Sequence, residues 1–78
     1  MSRPAIFDEI SEERGRQDAQ WGGPAADDTR EPTYWRNKID YQLFVSGADP
    51  TAFRSRMVKV AALCVAAIEA EDRRKARS

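Results

Sequence analysis

The sequence contains no histidine, a single cysteine, no net charge and no long apolar run. Without histidine, the chain lacks the usual general base near pH 7 and the commonest metal ligand. Cys64 alone cannot form an internal disulfide, which favours a reducing compartment. The longest apolar run, Val60 to Ile68, is far shorter than the roughly 20 residues of a membrane span. Because Asp8 and Glu9 also argue against a signal peptide, we expect a soluble, cytoplasmic protein with no membrane segment.

The charge balance and the length exclude further classes of protein. The 13 basic and 13 acidic side chains cancel, so no overall field attracts nucleic acid, and we do not expect nucleic-acid binding. A chain of 78 residues has room for one domain with a small core, which self-association would stabilise. There is no Ser–His or Cys–His pair and no glycine-rich phosphate loop, so two large classes of catalysis are excluded.

The pattern of breakers and periodic apolar residues predicts an all-α fold, a compact three-helix domain that self-associates. The predicted helices span about 4–20, 32–46 and 50–74, with a loop over 21–31. Ser2 or Arg3 caps the start of the first helix, Pro4 suits its first turn, and Gly22-Gly23-Pro24 ends it. Asp49 followed by Pro50 gives the third helix an N-cap and a proline in its first turn.

The second predicted helix carries two apolar faces. One contains Trp35, Ile39 and Leu43, and the other contains Tyr34, Tyr41 and Val45. We expect Trp35 to lie in the core, since aromatic residues at helical spacing usually do. Two apolar faces exceed what a three-helix monomer buries, which indicates a homo-oligomer or a partner protein. The predicted interaction surface consists of Tyr34, Tyr41 and Phe44.

The third predicted helix is the most apolar segment. One of its faces contains Phe53, Met57, Val60, Ala61, Cys64 and Ile68, and a second contains Val58, Ala62, Val65 and Ala66. This pattern predicts that residues 57–68 are buried nearly all round. We therefore expect Cys64 to be a buried apolar residue. The basic residues from Arg73 to Arg77 suit the negative end of the helix dipole, or alternatively a phosphate contact.

The first predicted helix carries polar residues where an apolar stripe is expected. At about 100° per residue, Glu13, Arg14, Gln17 and Trp21 continue the face that begins with Ile6 and Ile10. Burying such groups is costly unless something pairs with them. One interpretation is a site for a nucleotide-like ligand, read by the amide and guanidinium groups while the indole stacks. The alternatives are a protein partner and simple pairing with Arg54 or Arg56.

The predicted loop adds carboxylates to this candidate site. Asp27 and Asp28 complete the set of predicted ligand-binding residues, and together with Asp18 they could hold Mg²⁺. The simpler interpretation is that Asp28 or Thr29 caps the second helix while Asp27 faces solvent. No cofactor is assigned, and magnesium stays a possibility.

Two stretches of sequence carry a resemblance. The pattern Ile-x-x-Glu-Arg-x-Arg-Gln-Asp-x-x-Trp-Gly-Gly-Pro spans 10–24, and Val-Lys-Val-Ala-Ala-Leu-x-Val-Ala-Ala-Ile-Glu-x-x-Asp-Arg spans 58–73. With Asp-Asp at 27–28 and Trp35 between them, the chain resembles small proteins of tailed bacteriophages and prophages. It is also distantly similar to the MazG-like all-α nucleotide pyrophosphohydrolases. That superfamily holds Mg²⁺ with a Glu-Glu-x-x-Glu motif on one helix and Glu-x-x-Asp on the next.

The chain departs from the hydrolase pattern at two places. Residues 34–46, where the first acidic motif would fall, contain only Asp40, and Ala26 stands where relatives often have histidine. The pairs Glu9-x-x-Glu12 and Glu69-x-x-Asp72 have the motif's one-turn spacing, but we expect them on solvated faces.

The resemblance therefore implies a phage accessory protein in the bacterial cytoplasm, binding stoichiometrically in host takeover or counter-defence. It would sequester a nucleotide signal or inhibit a defence complex. One alternative is a reduced Mg²⁺-dependent pyrophosphohydrolase that uses Glu9, Glu13, Asp27 and Asp28, although the departures favour a protein that is not an enzyme. The other alternative is a structural helical oligomer.

Overall fold

The structure, a computed structural model, describes residues 2–27, 29–48 and 50–77. Its elements are α1 (Arg3–Trp21), α2 (Gly23–Asp27), α3 (Pro32–Ala48), a 3₁₀ turn (Pro50–Ala52) and α4 (Phe53–Arg77). No strand is found in this part of the chain, so the predicted all-α fold is confirmed. No described helix is both long and apolar enough to cross a membrane.

Capping residues fix both ends of α1. The Ser2 hydroxyl accepts a hydrogen bond from the Ala5 backbone N–H at 3.4 Å, and Pro4 lies in the first turn. Gly22 adopts the left-handed region with φ 97° and donates its N–H to the Asp18 carbonyl at 3.1 Å. Gly23 also has a positive φ, 68°. A residue with a side chain is strained at a positive φ, whereas glycine is not. The two glycines therefore allow α1 to end and α2 to begin directly after it.

The predicted loop over 21–31 therefore contains a short helix, α2, which the turn-forming residues did not reveal. The other boundaries differ by a few residues. The second long helix extends to Ala48 instead of 46, and α4 begins at Phe53 after a 3₁₀ turn and reaches Arg77. The predicted caps at Asp28 and Asp49 lie outside the described residues.

Helix α4 is the central element because both other long helices pack on it. The α1 and α3 backbones each approach α4, and within the described ranges they do not approach one another. The core lies mainly between α3 and α4 and consists of Trp35, Leu63, Ala66 and Ala70. The prediction that Trp35 belongs to the core is confirmed, with 6% of the residue exposed.

The expectation that residues 57–68 are buried nearly all round is wrong. Burial on α4 is confined to the side that meets α1 and α3, where Ala62, Leu63 and Ala66 lie. Val65 and Ile68 are exposed, and Cys64 is half-buried instead of fully buried. The physical reason is geometric, since two neighbouring helices cover about half of a third helix and leave its far side open.

Candidate functional site

Polar side chains mediate the contact between α1 and α4. Glu13 and Gln17 are both buried, and Arg14 lies between them with only a small part of its side chain exposed. The Gln17 side-chain amide donates to the Lys59 carbonyl of α4 at 3.4 Å. The polar residues that the sequence placed on the inner face of α1 are therefore on that face.

The Arg14 guanidinium connects three helices. It donates to the Asp18 carboxylate at 2.9 Å and to the Glu69 carboxylate of α4 at 3.2 and 3.3 Å. It also donates to the side-chain oxygen Oε1 of Gln17 at 3.4 Å. Its Nη2 also lies 3.7 Å from Oδ2 of Asp27 in α2. We call these five residues the Arg14 cluster. Because one cation faces three carboxylates, the cluster carries an excess of negative charge.

Asp27 is the least satisfied member of the Arg14 cluster. The residue is 95% buried, since its relative exposure is 5%, and its Oδ2 has no hydrogen-bond partner among the described residues. Burial raises the pKa of the Asp27 carboxyl above its ordinary 3.8, against the opposing influence of Arg14. The expectation that Asp27 faces solvent is therefore wrong, because α2 turns its side chain toward Arg14.

The alternative prediction, that these polar residues pair with Arg54 or Arg56, is wrong. The Glu13 carboxylate accepts a hydrogen bond from Arg16 at 2.9 Å on its own helix. Arg56 donates to Gln42 of α3 at 3.0 Å, and Arg54 donates to both oxygens of Glu9 at 2.7 and 2.8 Å. The interpretation that other helices satisfy the polar stripe is nonetheless supported, since α2 and α4 supply partners for Arg14 and Gln17.

Three of the predicted ligand-binding residues come together in the Arg14 cluster: Arg14, Gln17 and Asp27. Glu13 lies on the same face but pairs with Arg16. Trp21 lies against the core, and the Lys38 ammonium covers its ring at 3.7 Å from the centroid. A base stacked on Trp21 would have to use the other face of the indole. Asp28 lies outside the described residues.

Glu69 is the cluster member that we expected on a solvated face. Its carboxylate is about half exposed, yet it accepts two hydrogen bonds from Arg14 across the helix interface. The sequence held a signal for this contact, because Glu69 follows Ala62 and Ala66 by seven and three residues and therefore continues the second predicted apolar face. Only the orientation of α4 shows on which side of that face α1 packs.

The described acidic residues considered for magnesium face arginines: Asp18 and Asp27 share Arg14, Glu9 pairs with Arg54 and Glu13 pairs with Arg16. In the described residues, no three carboxylate or thiol groups gather in a way that could hold a metal ion. Glu9, one of the pair expected to be solvated, is held by Arg54, whose hydrogen bond lowers the pKa of the Glu9 carboxyl below its ordinary 4.5. Arginine, not a shared cation site, is thus the partner of these carboxylates.

The predicted interaction surface on α3 is only partly exposed. Tyr41 and Phe44 are open to solvent, Phe44 with 78% of its surface. Tyr34 instead packs edge-on against Trp35, with ring centroids 5.2 Å apart. The core contact explains the Tyr34 position, whereas nothing in the described chain covers Phe44.

Outside the core, α4 carries a second apolar face. Side chains at helical spacing form a face that we call the α4 stripe: Phe53, Met57, Val60, Ala61, Cys64 and Ile68. Its ends are the most open, with Phe53 56% and Ile68 61% exposed, and the four residues between them are half-buried. Sequence reasoning identified this face correctly but assigned it to the core.

Comparison with known proteins adds no further constraint. The chain matches no family model, no curated protein and no solved structure. The Arg14 cluster, the α4 stripe and the surfaces beside them are the features from which a function can be inferred.

Proposed function

We propose that this protein acts by stoichiometric binding, with the α4 stripe as its docking surface and a second copy of the chain as the first occupant. The observation that carries the proposal is the apolar face from Phe53 to Ile68, which is exposed at both ends and half-buried between them. At one edge of this face, Met57 and Ala61 line a hollow beside Ile6 and Ile10 of α1. Apolar faces of this length on a small domain mark interaction surfaces. The Arg14 cluster supports the proposal by fixing α1 to the other side of α4.

The spacing of the stripe fits a helix as its occupant. Met57, Val60 and Cys64 follow one another at intervals of three and four residues, as the core positions of a coiled coil do. A second helix packed along the stripe would bury these half-exposed side chains between its own apolar side chains. A small, rigid ligand would cover only part of such a long face.

The flanking charges favour a second copy in antiparallel orientation. Arg54 and Asp72 lie about five helical turns apart and therefore on the same flank of the stripe. In an antiparallel helix pair, residues of the same flank meet, so Arg54 of one copy would meet Asp72 of the other. Asp72 is exposed and has no ion pair in the described part of the chain. The same register places Met57 opposite Ile68.

The resemblance to small phage proteins supports an extension of this proposal. In that setting the assembled protein would serve host takeover or counter-defence by sequestering a nucleotide signal or blocking a defence complex. Tyr41 and Phe44, which are exposed on α3 and are not part of the α4 stripe, would then be available to the target. The ion-paired carboxylates Glu9 and Glu13 favour binding over hydrolysis in this proposal.

Sedimentation equilibrium over a wide range of concentrations tests the proposal. We expect wild type to reach twice the 8.8 kDa mass of the monomer. Ile68→Glu, at an exposed position of the stripe, should stay monomeric and keep its helical circular dichroism, and its unfolding midpoint should no longer depend on protein concentration. Met57→Glu tests the same face at its other end.

Phe44→Glu is the matched control, because it places the same charge at an exposed apolar position outside the stripe. It should assemble as wild type does. A monomeric wild type, or an Ile68→Glu variant that still dimerises, would overturn the proposal. Loss of assembly in Phe44→Glu alone would assign the interface to α3 instead.

A further inference from the structure

A groove between α3 and α4 is distinct from both the Arg14 cluster and the α4 stripe. It has a volume of about 310 Å³, which lies at the lower end of the range for small-molecule sites. Its floor is apolar and consists of Trp35, Ile39, Ala67 and Ala70. The two alanines create the hollow, since longer side chains at these positions of α4 would fill it.

The rim of the groove is strongly basic. Arg30, Arg36 and Arg74 line it, against a single carboxylate from Glu71. Arg36 is exposed and has no ion pair or hydrogen bond in the described residues, so its charge is free for a ligand. The excess of positive charge is local, because the chain as a whole has no net charge.

Two of the arginines are held in place by the protein. The Arg30 guanidinium lies 4.1 Å from the centroid of the Tyr34 ring, and its buried Nε has no hydrogen-bond partner within the described chain. Arg74 donates to the Arg30 carbonyl at 3.2 Å and lies 3.7 Å from Glu71. Held guanidinium groups lose less freedom on binding an anion than mobile ones do.

We infer that this groove binds a small amphipathic anion, a carboxylate or phosphate joined to an aromatic or aliphatic body. The body would lie on the Trp35 and Ile39 floor, and the anionic group would meet the arginines at the rim. Guanidinium groups match carboxylates and phosphates through paired N–H donors. The inference does not depend on the proposed assembly through the α4 stripe.

The floor also favours one ligand class over another. A nucleotide base is read at its edges by polar groups that converge on it. Apart from Glu71 and the arginines, the lining consists of apolar side chains, so nothing on the floor would recognise a base. We therefore expect an aryl or acyl compound to bind better than a nucleoside monophosphate of the same charge.

Calorimetric titration of the full chain tests this inference with 1-naphthyl phosphate and octanoate as probes. Each should bind at least about tenfold more tightly than 1-naphthol, inorganic phosphate or adenosine monophosphate. Equal binding of 1-naphthol, tighter binding of adenosine monophosphate, or no binding of either probe would overturn the inference.

Variants locate the binding to the groove. Arg36→Gln should weaken the better probe about tenfold without changing the unfolding midpoint, because Arg36 is exposed and unpaired. Ala67→Leu should fill the hollow and abolish binding. Arg3→Gln removes the same charge from an exposed position in α1, away from the groove lining, and should bind as wild type does. Unchanged affinity in both Arg36→Gln and Ala67→Leu would contradict the assignment.

Discussion

The two contacts that α4 makes with its neighbours differ in kind. Toward α3, the contact is mainly apolar, with Trp35 packed on Leu63, Ala66 and Ala70, and Arg56 adds a hydrogen bond to Gln42. Toward α1, hydrogen bonds and ion pairs around Arg14 and Gln17 predominate, although Ile6 and Ile10 lie beside Met57 near the start of the contact. The comparison shows that a small domain can hold one helix by burial of apolar surface and another by mutual satisfaction of polar groups.

The difference determines how each contact fails. Removing apolar volume from the α3 side loses burial and leaves a cavity, whereas removing one partner from the α1 side leaves other polar groups unpaired. Apolar packing is also insensitive to pH, while the Arg14 cluster contains a buried carboxylate.

The largest effect is expected from Trp35→Ala on the apolar side. It should lower the free energy of unfolding by about 3–5 kcal/mol, because it removes the largest side chain of the core. Urea unfolding followed by circular dichroism measures this. Tyr41→Ala, an exposed aromatic on the same helix, should change stability by less than about 0.5 kcal/mol. Similar losses in the two variants would contradict the assigned core.

Arg14→Met breaks the polar side. It should cost about 2 kcal/mol, because Asp27 and Gln17 lose their partner while remaining buried. Adding Asp27→Asn to this variant should recover part of the loss, since no buried charge then remains unpaired. Arg36→Met is the control, because its side chain is exposed and has no ion pair in the described residues, and should cost no more than about 0.5 kcal/mol. An Arg14→Met variant as stable as this control would refute the account of the polar contact.

Gly22→Ala acts on the connection that brings Asp27 to Arg14. The added Cβ would lie 3.1 Å from the Ala26 Cβ at a φ of 97°, so the expected cost is about 1–2 kcal/mol. Gly15→Ala on the same helix meets nothing within 4 Å and should instead stabilise α1 by up to about 1 kcal/mol. Thermal unfolding of the two variants should therefore shift the midpoint in opposite directions, and a shift in the same direction would contradict the prediction.

The smallest expected effect is on the pH dependence of stability, to which two carboxylates contribute with pKa values shifted in opposite directions. Burial raises the pKa of Asp27, so the folded state holds its proton more tightly than the unfolded state does. Its contribution to stability therefore increases as the pH falls through the window just above 3.8. Any advantage of Asp27→Asn over wild type should shrink as the pH is lowered through that window.

Glu9 should behave in the opposite way, because the hydrogen bond from Arg54 lowers its pKa. Its contribution is present above the ordinary value of 4.5 and is lost as the pH falls through the lowered pKa. Unfolding midpoints of Glu9→Gln and Asp27→Asn, each compared with wild type at several pH values, measure both trends. Trends of the same sign in the two variants would refute this assignment.

The sequence allowed the elements of the fold to be predicted better than their orientation. Helical periodicity and caps such as Ser2 predicted the three long helices, and aromatic spacing placed Trp35 in the core. The same periodicity could not say which face of α4 is covered, because Ala62, Leu63 and Ala66 form a less apolar-looking face than the α4 stripe does. Small residues such as Ala62 and Ala66 allow helices to approach closely, so this face forms the interface.

The candidate site was predictable to a similar extent. The unusual polar face of α1 correctly indicated that Arg14 and Gln17 are buried in a contact. Their partner Glu69 could not be identified, because it lies 55 residues away and depends on the rotation of α4. The groove at Arg36 was missed for the same reason, since its lining comes from α3, α4 and the segment before α3.

The most direct test of the central claim is the alkylation rate of Cys64, the single cysteine, as a function of protein concentration. Cys64 lies half-buried in the middle of the α4 stripe, so a second copy seated there would shield its thiol. The account predicts that the rate in wild type falls as concentration rises, while the rate in Ile68→Glu stays constant. A wild-type rate that is independent of concentration would contradict it.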